Sequence, residues 1–154
     1  MSDYTAQVRW HRADDEAFVD NTYSRGHTWQ FDGGVTVPAS AAPSIVPEHS
    51  VAANVDPEEA FVASLSSCHM LFFLAFAAKR RYVVDEYVDD AVGTLADGDD
   101  GKTRMTRVVL RPRVRFSGDR RPNREALVKL HHLAHDHCFI ANSVTTDVVT
   151  EIPA

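Results

Sequence analysis

Apolar and polar positions alternate at the start of the chain, with Tyr4, Ala6, Val8 and Trp10 set against Thr5, Gln7, Arg9 and His11. That is the period of a half-buried strand. After a polar turn around Asp14 to Asn21, His27 to Phe31 reads as a second strand, Asp32-Gly33-Gly34 as a tight turn and Val35 to Ser40 as a third strand. The result is a predicted three-stranded meander. Residues 41–55 carry Pro43, Pro47 and several small or polar side chains, a composition that suits a loop leading to the next element.

A helix start follows. Asp56 is a good N-cap, Pro57 a good first helical residue, and Glu59 stands three after Asp56 in the register of a capping box, with Glu58 and Glu59 complementing the dipole of the first turn. The helix is expected to run to about Arg81. Its second half, Met70 to Ala78, is apolar on every side, which predicts a central core helix enclosed by protein, a second subunit being one source of that cover.

Tyr87 to Leu95 and Met105 to Phe116 are the next two predicted strands, joined as a hairpin by the turn Asp97-Gly98-Asp99-Asp100-Gly101. In the second, Val108, Leu110, Val114 and Phe116 share one face and Arg107, Arg111, Arg113 and Arg115 the other. On an acidic protein such a basic row reads as a solvated face before an anion site. Pro112 predicts an edge or an interruption. A second helix is predicted from about Arg124 to His137, with Cys138 at its end, and a closing strand over Thr145 to Ile152. The order β-β-β-α-β-β-α-β defines an α+β fold with largely antiparallel sheet and a long central helix, expected as a single domain over residues 1–154.

With 154 residues, 44% hydrophobic and 25% charged, the chain can bury one sizeable core. A formal net charge of −6 leaves no basic field for nucleic acid. The first ten residues lack the apolar run of a signal peptide, and the stretch Met70 to Ala78 is far short of a bilayer span. No membrane partner is expected, and the expected location is cytoplasmic. In that reducing setting the only two cysteines, Cys68 and Cys138, are more readily free, catalytic or metal-binding than a permanent staple.

There is no phosphate-binding glycine loop, no dinucleotide fingerprint, no Gly-x-Ser-x-Gly elbow and no Cys-x-x-Cys pair. Thiol chemistry remains. It needs a thiolate, favoured by a nearby cation or hydrogen-bond donors, and Arg25 and His69 are the candidates. His131, His132, His135 and His137 raise a metal alternative, because His131 and His135 share a helical face near Cys138. Without a glutamate at the right position that spacing is nonspecific, so neither a metal nor a catalytic role is assigned to the histidines. His69 points about 100° away from Cys68 on a helix and is expected to pack elsewhere.

The stretches Asp56-Pro57-Glu58-Glu59 through Ser67-Cys68-His69, and Ala134-His135-Asp136-His137-Cys138-Phe139-Ile140-Ala141-Asn142-Ser143, resemble the two cysteine motifs of the OsmC/Ohr family of thiol-dependent peroxidases. The resemblance implies an OsmC-like fold, an intertwined homodimer with active sites at the subunit interface, and no metal or flavin. It implies reduction of organic hydroperoxides, with hydrogen peroxide a further candidate, and recycling by an external dithiol such as a dihydrolipoyl group, carried by a protein or a small thiol. Cys68 matches the peroxidatic cysteine, Cys138 the resolving cysteine and Glu58 the family glutamate. Arg25, in Tyr23-Ser24-Arg25-Gly26-His27, is the best match for the arginine. Phe139 stands where a proline commonly follows the second family cysteine.

Given these roles, Arg25 would favour the Cys68 thiolate and orient the peroxide, and Glu58 would hold the guanidinium in a planar two-point grip. The alternative is a redox-sensing or ligand-binding protein without efficient turnover. Helix geometry adds a constraint: ten residues put Glu58 about 15 Å from Cys68 along a straight helix and roughly 80° round it. Either the helix breaks near Ser64 to Ser67, or the glutamate approaches the cysteine of a second subunit across a two-fold axis.

Overall fold

The computed structural model describes residues 1–153. The chain divides into two compact units, Met1–Ala60 and Phe61–Ala154. In the first unit, β1 (Ala6–Arg9), β2 (His27–Phe31) and β3 (Thr36–Ala39) form the expected antiparallel meander, with Val8 opposite Trp29 and Trp29 opposite Val37. Gly34 takes a positive φ of 87° in the β2–β3 turn, a conformation that costs glycine little. One expectation changes here: β1 is exposed along all four residues, Val8 included, so its alternation does not mark a half-buried strand.

The capping box forms as predicted. The Glu59 amide donates to Asp56 Oδ1 at 2.7 Å and the Asp56 amide donates to Glu59 Oε2 at 3.3 Å. From this cap α1 (Pro57–Lys79) runs unbroken. Ser64 donates back to the Phe61 carbonyl at 2.8 Å without interrupting it. A break between Glu58 and Cys68 is therefore not what the sequence adopts.

Only one stripe of α1 is buried, Leu65, His69, Phe73 and Ala77, each four residues from the next. In the second unit Phe73 and Ala77 pack on Leu130 and Ala134 of α2 (Arg124–His137), and Leu65 packs with Val108 and Leu110. On the other side Ala63, Ser67, Leu71 and Ala75 are exposed. By length and composition α1 would be able to cross a membrane, a test that the nine-residue stretch Met70 to Ala78 alone does not meet; core helices of water-soluble proteins pass it as well.

Each of the two long strands predicted between the helices is two strands. The first gives β4 (Val83–Asp89) and β5 (Val92–Asp97); the second gives β6 (Thr103–Leu110) and β7 (Pro112–Ser117). β4 pairs with β7, while β5, β6 and β8 (Asp147–Thr150) form another sheet in which only the β6–β8 pair is parallel. Pro112 has no N–H to continue a ladder. The Arg111 amide leaves the ladder to donate to Asp89 Oδ1 at 2.6 Å, which fixes the break. The predicted hairpin at Asp97 to Gly101 is the β5–β6 connection.

The arginine row is a solvated face, as expected. Arg107 pairs with Asp147 at 3.7 Å, Arg111 with Glu151 at 2.8 Å, Arg113 with Asp90 at 2.6 Å and Arg115 with Asp85 at 3.2 Å. Each arginine already has a carboxylate, so the row presents little uncompensated charge.

Candidate active site

Cys68 lies midway along α1 and is half-buried, and Cys138 is the C-cap of α2, only 2% exposed. Both are free thiols. Helix α2 owes its ends to local chemistry: Asn123 accepts from the Ala126 amide at 2.9 Å, and at the other end the Cys138 amide donates to the His135 carbonyl at 3.2 Å. Asn142 then donates its side chain to the Asp136 carbonyl at 3.0 Å and its amide to the Cys138 carbonyl at 3.0 Å. These bonds satisfy carbonyls that a helix end leaves open and fold residues 138–143 tightly beneath the thiol.

Within that turn the Ala141 amide donates to Cys138 Sγ at 3.4 Å. This bond favours the thiolate, as does the Ile140 amide, but burial outweighs both and pushes the Cys138 thiol up to about 11. The neighbouring Cys68 side chain raises it further. The fold thus brings two cysteines 70 positions apart near enough for one to act on the other, with burial holding Cys138 as a neutral thiol. Their surroundings are aromatic: Phe72 meets Phe139 edge-on at 5.0 Å, and Phe76 meets His137 at 5.1 Å. Phe139 is 70% exposed.

Ser66, two residues before Cys68, donates to Asp89 Oδ2 at 2.5 Å. The same carboxylate accepts the Arg111 amide on its other oxygen, so α1 is tied at the level of the cysteine to the point where β6 gives way to β7.

Arg25 and Glu58 belong to the first unit. The Arg25 guanidinium lies 3.6 Å above the Tyr23 ring. It donates to the Tyr23 carbonyl and to the Asn21 side chain and carbonyl, the last two at 2.8 and 3.1 Å. Tyr23 in turn stacks on Phe18 at 4.7 Å and meets Trp10 at 5.4 Å. Glu58 is half-buried in the first turn of α1. Among the described residues of the chain no ion pair joins it to Arg25; the planar fork is occupied by Asn21 and Tyr23.

The sequence reading missed a buried histidine pair. His69 and His131 are each 1% exposed, and His69 Nε2 lies 3.0 Å from His131 Nδ1 with the two rings within 12° of one plane. Phe73 covers His131 with its ring centroid 4.4 Å away. His69 Nδ1 has no partner. An unpartnered acceptor is easier to bury than an unpartnered N–H, which assigns the proton to Nε2, donating to His131. Burial drives both rings toward the neutral form, His69 down to about 4 and His131 down to about 3. The four-residue spacing of His69 with Leu65, Phe73 and Ala77 was the available signal of burial; its direction away from Cys68 was read correctly.

No group of three or more His, Cys, Asp or Glu side chains able to hold a metal ion occurs among the described residues. His131 is spent on His69 and Phe73, and His137 Nδ1 is 2.9 Å from the Leu133 carbonyl.

Two free cysteines, one at the middle of a long helix and one at the cap of the next, form the candidate site. The family model described as OsmC-like protein matches residues 50–152, and the chain belongs to that family. It is 62% identical to an OsmC-like protein of unknown function from Vibrio cholerae, with a TM-score of 0.98 over 99% of this chain and 100% of that one. The organic hydroperoxide resistance protein OsmC of Legionella pneumophila shares the fold at a TM-score of 0.70 and 16% identity, over 100% of both chains. The organic hydroperoxide resistance protein OhrB of Bacillus subtilis does so at 0.66 and 18%, over 97% of this chain and 98% of that one. A search of curated proteins gives no match.

Proposed function

We propose that this protein is a cysteine-based peroxidase that reduces organic hydroperoxides, with Cys68 as the attacking thiolate and Cys138 as the resolving thiol. The observation that carries the reading is the proximity of two free thiols, one half-buried and one buried over the 138–143 turn, with Cys68 near enough to raise the Cys138 thiol. The Cys68 thiolate attacks the peroxide oxygen remote from the organic group; the O–O bond breaks, and the alkoxide leaves and takes a proton as alcohol. Cys68 is then a sulfenic acid. The Cys138 thiol displaces its hydroxyl, the thiol proton leaves with that hydroxyl as water, and a Cys68–Cys138 disulfide remains. A neutral Cys138 suits this order, because it does not compete with Cys68 for peroxide.

The reading needs no bound cofactor and assigns recycling to an external dithiol, in the reducing cytoplasm. Phe72 and the exposed Phe139 beside Cys138 favour an organic group on the peroxide. Arg25 and Glu58 are the groups proposed to stabilise and orient, and α1 being unbroken favours their delivery by a second copy of the chain. The exposed stripe Ala63, Ser67, Leu71 and Ala75 is the surface proposed to meet that copy, since Ala63, Ser67 and Ala75 are small enough for close helix approach and Leu71 is a large apolar side chain left in solvent.

The test is mass spectrometry after one equivalent of an alkyl hydroperoxide. A Cys68–Cys138 disulfide with steady turnover on a dihydrolipoyl donor is expected. Retained turnover in Cys68→Ser would sink the reading, and a disulfide formed once without turnover would favour a redox sensor.

A further inference from the structure

The buried pair His69–His131 is unused by that mechanism, and its place is specific. His69 follows Cys68 on α1, while His131 precedes Cys138 by seven residues on α2, close to two full turns and so on nearly the same face. Among the described residues, the His69–His131 bond is the one side-chain hydrogen bond between α1 and α2. Everything else joining their buried faces is apolar: Phe73 and Ala77 on Leu130 and Ala134. Apolar contact is non-directional and tolerates small sliding of one helix on another. A linear bond between two near-coplanar rings does not, because it weakens steeply as donor and acceptor leave alignment.

We propose that His69 and His131 are positioning residues that hold α1 and α2 in the register at which the Cys68 and Cys138 sulfurs can join. The proposal rests on the Cys68–Cys138 pairing put forward above. Disulfide closure demands a register of this accuracy, since the sulfurs must come to about 2.05 Å with a dihedral near 90°. Buried polar pairs add little stability over well-packed hydrocarbon, and their best-attested use is to select one arrangement. Leaving His69 Nδ1 without a partner is the cost of placing that selector next to the cysteine.

The experiment measures the effective concentration of the two thiols in glutathione redox buffers. There two thiols and one glutathione disulfide exchange to a protein disulfide and two glutathiones, and no peroxide is needed. The apolar double variant His69→Met/His131→Leu should keep its unfolding midpoint while the effective concentration falls by at least about tenfold, the change that roughly 1.4 kcal/mol of lost alignment gives. The amide double variant His69→Gln/His131→Asn, which keeps polar atoms where Nε2 and Nδ1 stand, should recover most of it. An apolar variant that folds and closes its disulfide as readily as the parent overturns the proposal, as does failure of the amide pair to exceed the apolar one. Should the apolar double variant not fold, His131→Leu against His131→Asn reads the same comparison, and equal values overturn it. If the parent makes no disulfide with alkyl hydroperoxide, the peroxidase reading fails while the glutathione result still judges the positioning pair.

Discussion

The Ala141 amide donates to Cys138 Sγ at 3.4 Å, and the thiol is nonetheless pushed up to about 11. Burial is the larger effect, with Cys68 adding to it. Cys138 should therefore react with iodoacetamide only slowly at neutral pH, and its alkylation rate should climb toward pH 11. Because Cys68 raises the value, Cys68→Ala should shift the profile of Cys138 to lower pH. A Cys138 that alkylates at pH 7 like a free thiol would contradict the sealed geometry.

The histidine pair predicts how the protein meets acid. Both rings have folded pKa values below the ordinary 6.5, about 4 for His69 and about 3 for His131, caused first by burial. The neighbouring titratable groups are His135, acting on His69, and His132, acting on His131; Tyr87 of β4, across Phe73, stays neutral with its hydroxyl raised beyond the ordinary range. Above pH 6.5 the pair contributes no pH dependence. Below it the unfolded chain binds protons the folded rings refuse, so stability falls toward pH 4 by up to about 1.4 kcal/mol per pH unit for each ring. Urea unfolding across pH 4 to 7 should show this slope, and His69→Gln/His131→Asn should flatten it.

What could be read from the sequence was mostly what neighbours decide. The capping box at Asp56 and Glu59, the cap and length of α2, and the turn at Gly34 are local bargains between a few residues, and they form as predicted. The split of each long strand was not legible in full. Pro112 signalled an interruption, but the partner that fixes it, Asp89, is 22 residues from Arg111. His69 and His131 are 62 residues apart, and nothing in either motif announces the other. Arg25 was picked for its charge, while its hold on Tyr23 and Asn21 depends on a local turn through Asn21, which takes a positive φ of 66°.

The capping box carries a stability prediction of its own. Asp56 is buried at 7% exposure and accepts the Glu59 amide at 2.7 Å. Asp56→Ala leaves that amide without its acceptor and should cost about 1 kcal/mol, with a range of roughly 0.5–2 for N-cap removal. Asp56→Asn keeps an acceptor and should cost less. Chemical denaturation of the three proteins checks the order.

Removal of the resolving thiol separates the two chemical steps. Cys138→Ser should still consume one equivalent of alkyl hydroperoxide, because attack belongs to Cys68, and the product should be a sulfenic acid that dimedone traps. Excess peroxide should then drive it to sulfinic acid, since no thiol is poised to intercept it. Intact-mass analysis reads each state directly. A Cys138→Ser protein that turns over on a dihydrolipoyl donor at the parent rate would show that the donor thiol resolves Cys68 itself.

The exposed side of α1 gives the last prediction. Leu71 is a large apolar side chain that is 59% exposed, and it sits in line with Ala63, Ser67 and Ala75. A charge there meets water freely in a lone chain but would be desolvated against a second copy. Leu71→Asp should therefore leave the monomer folded by circular dichroism while abolishing self-association in sedimentation. If Glu58 reaches Cys68 from the other copy, peroxide turnover should fall with it. Addition of Cys68→Ser chains to Glu58→Gln chains should restore part of the activity by forming mixed dimers with one complete site. A dimer surviving Leu71→Asp would move the interface elsewhere, and a fully active monomer would show that one chain supplies every group the reaction needs.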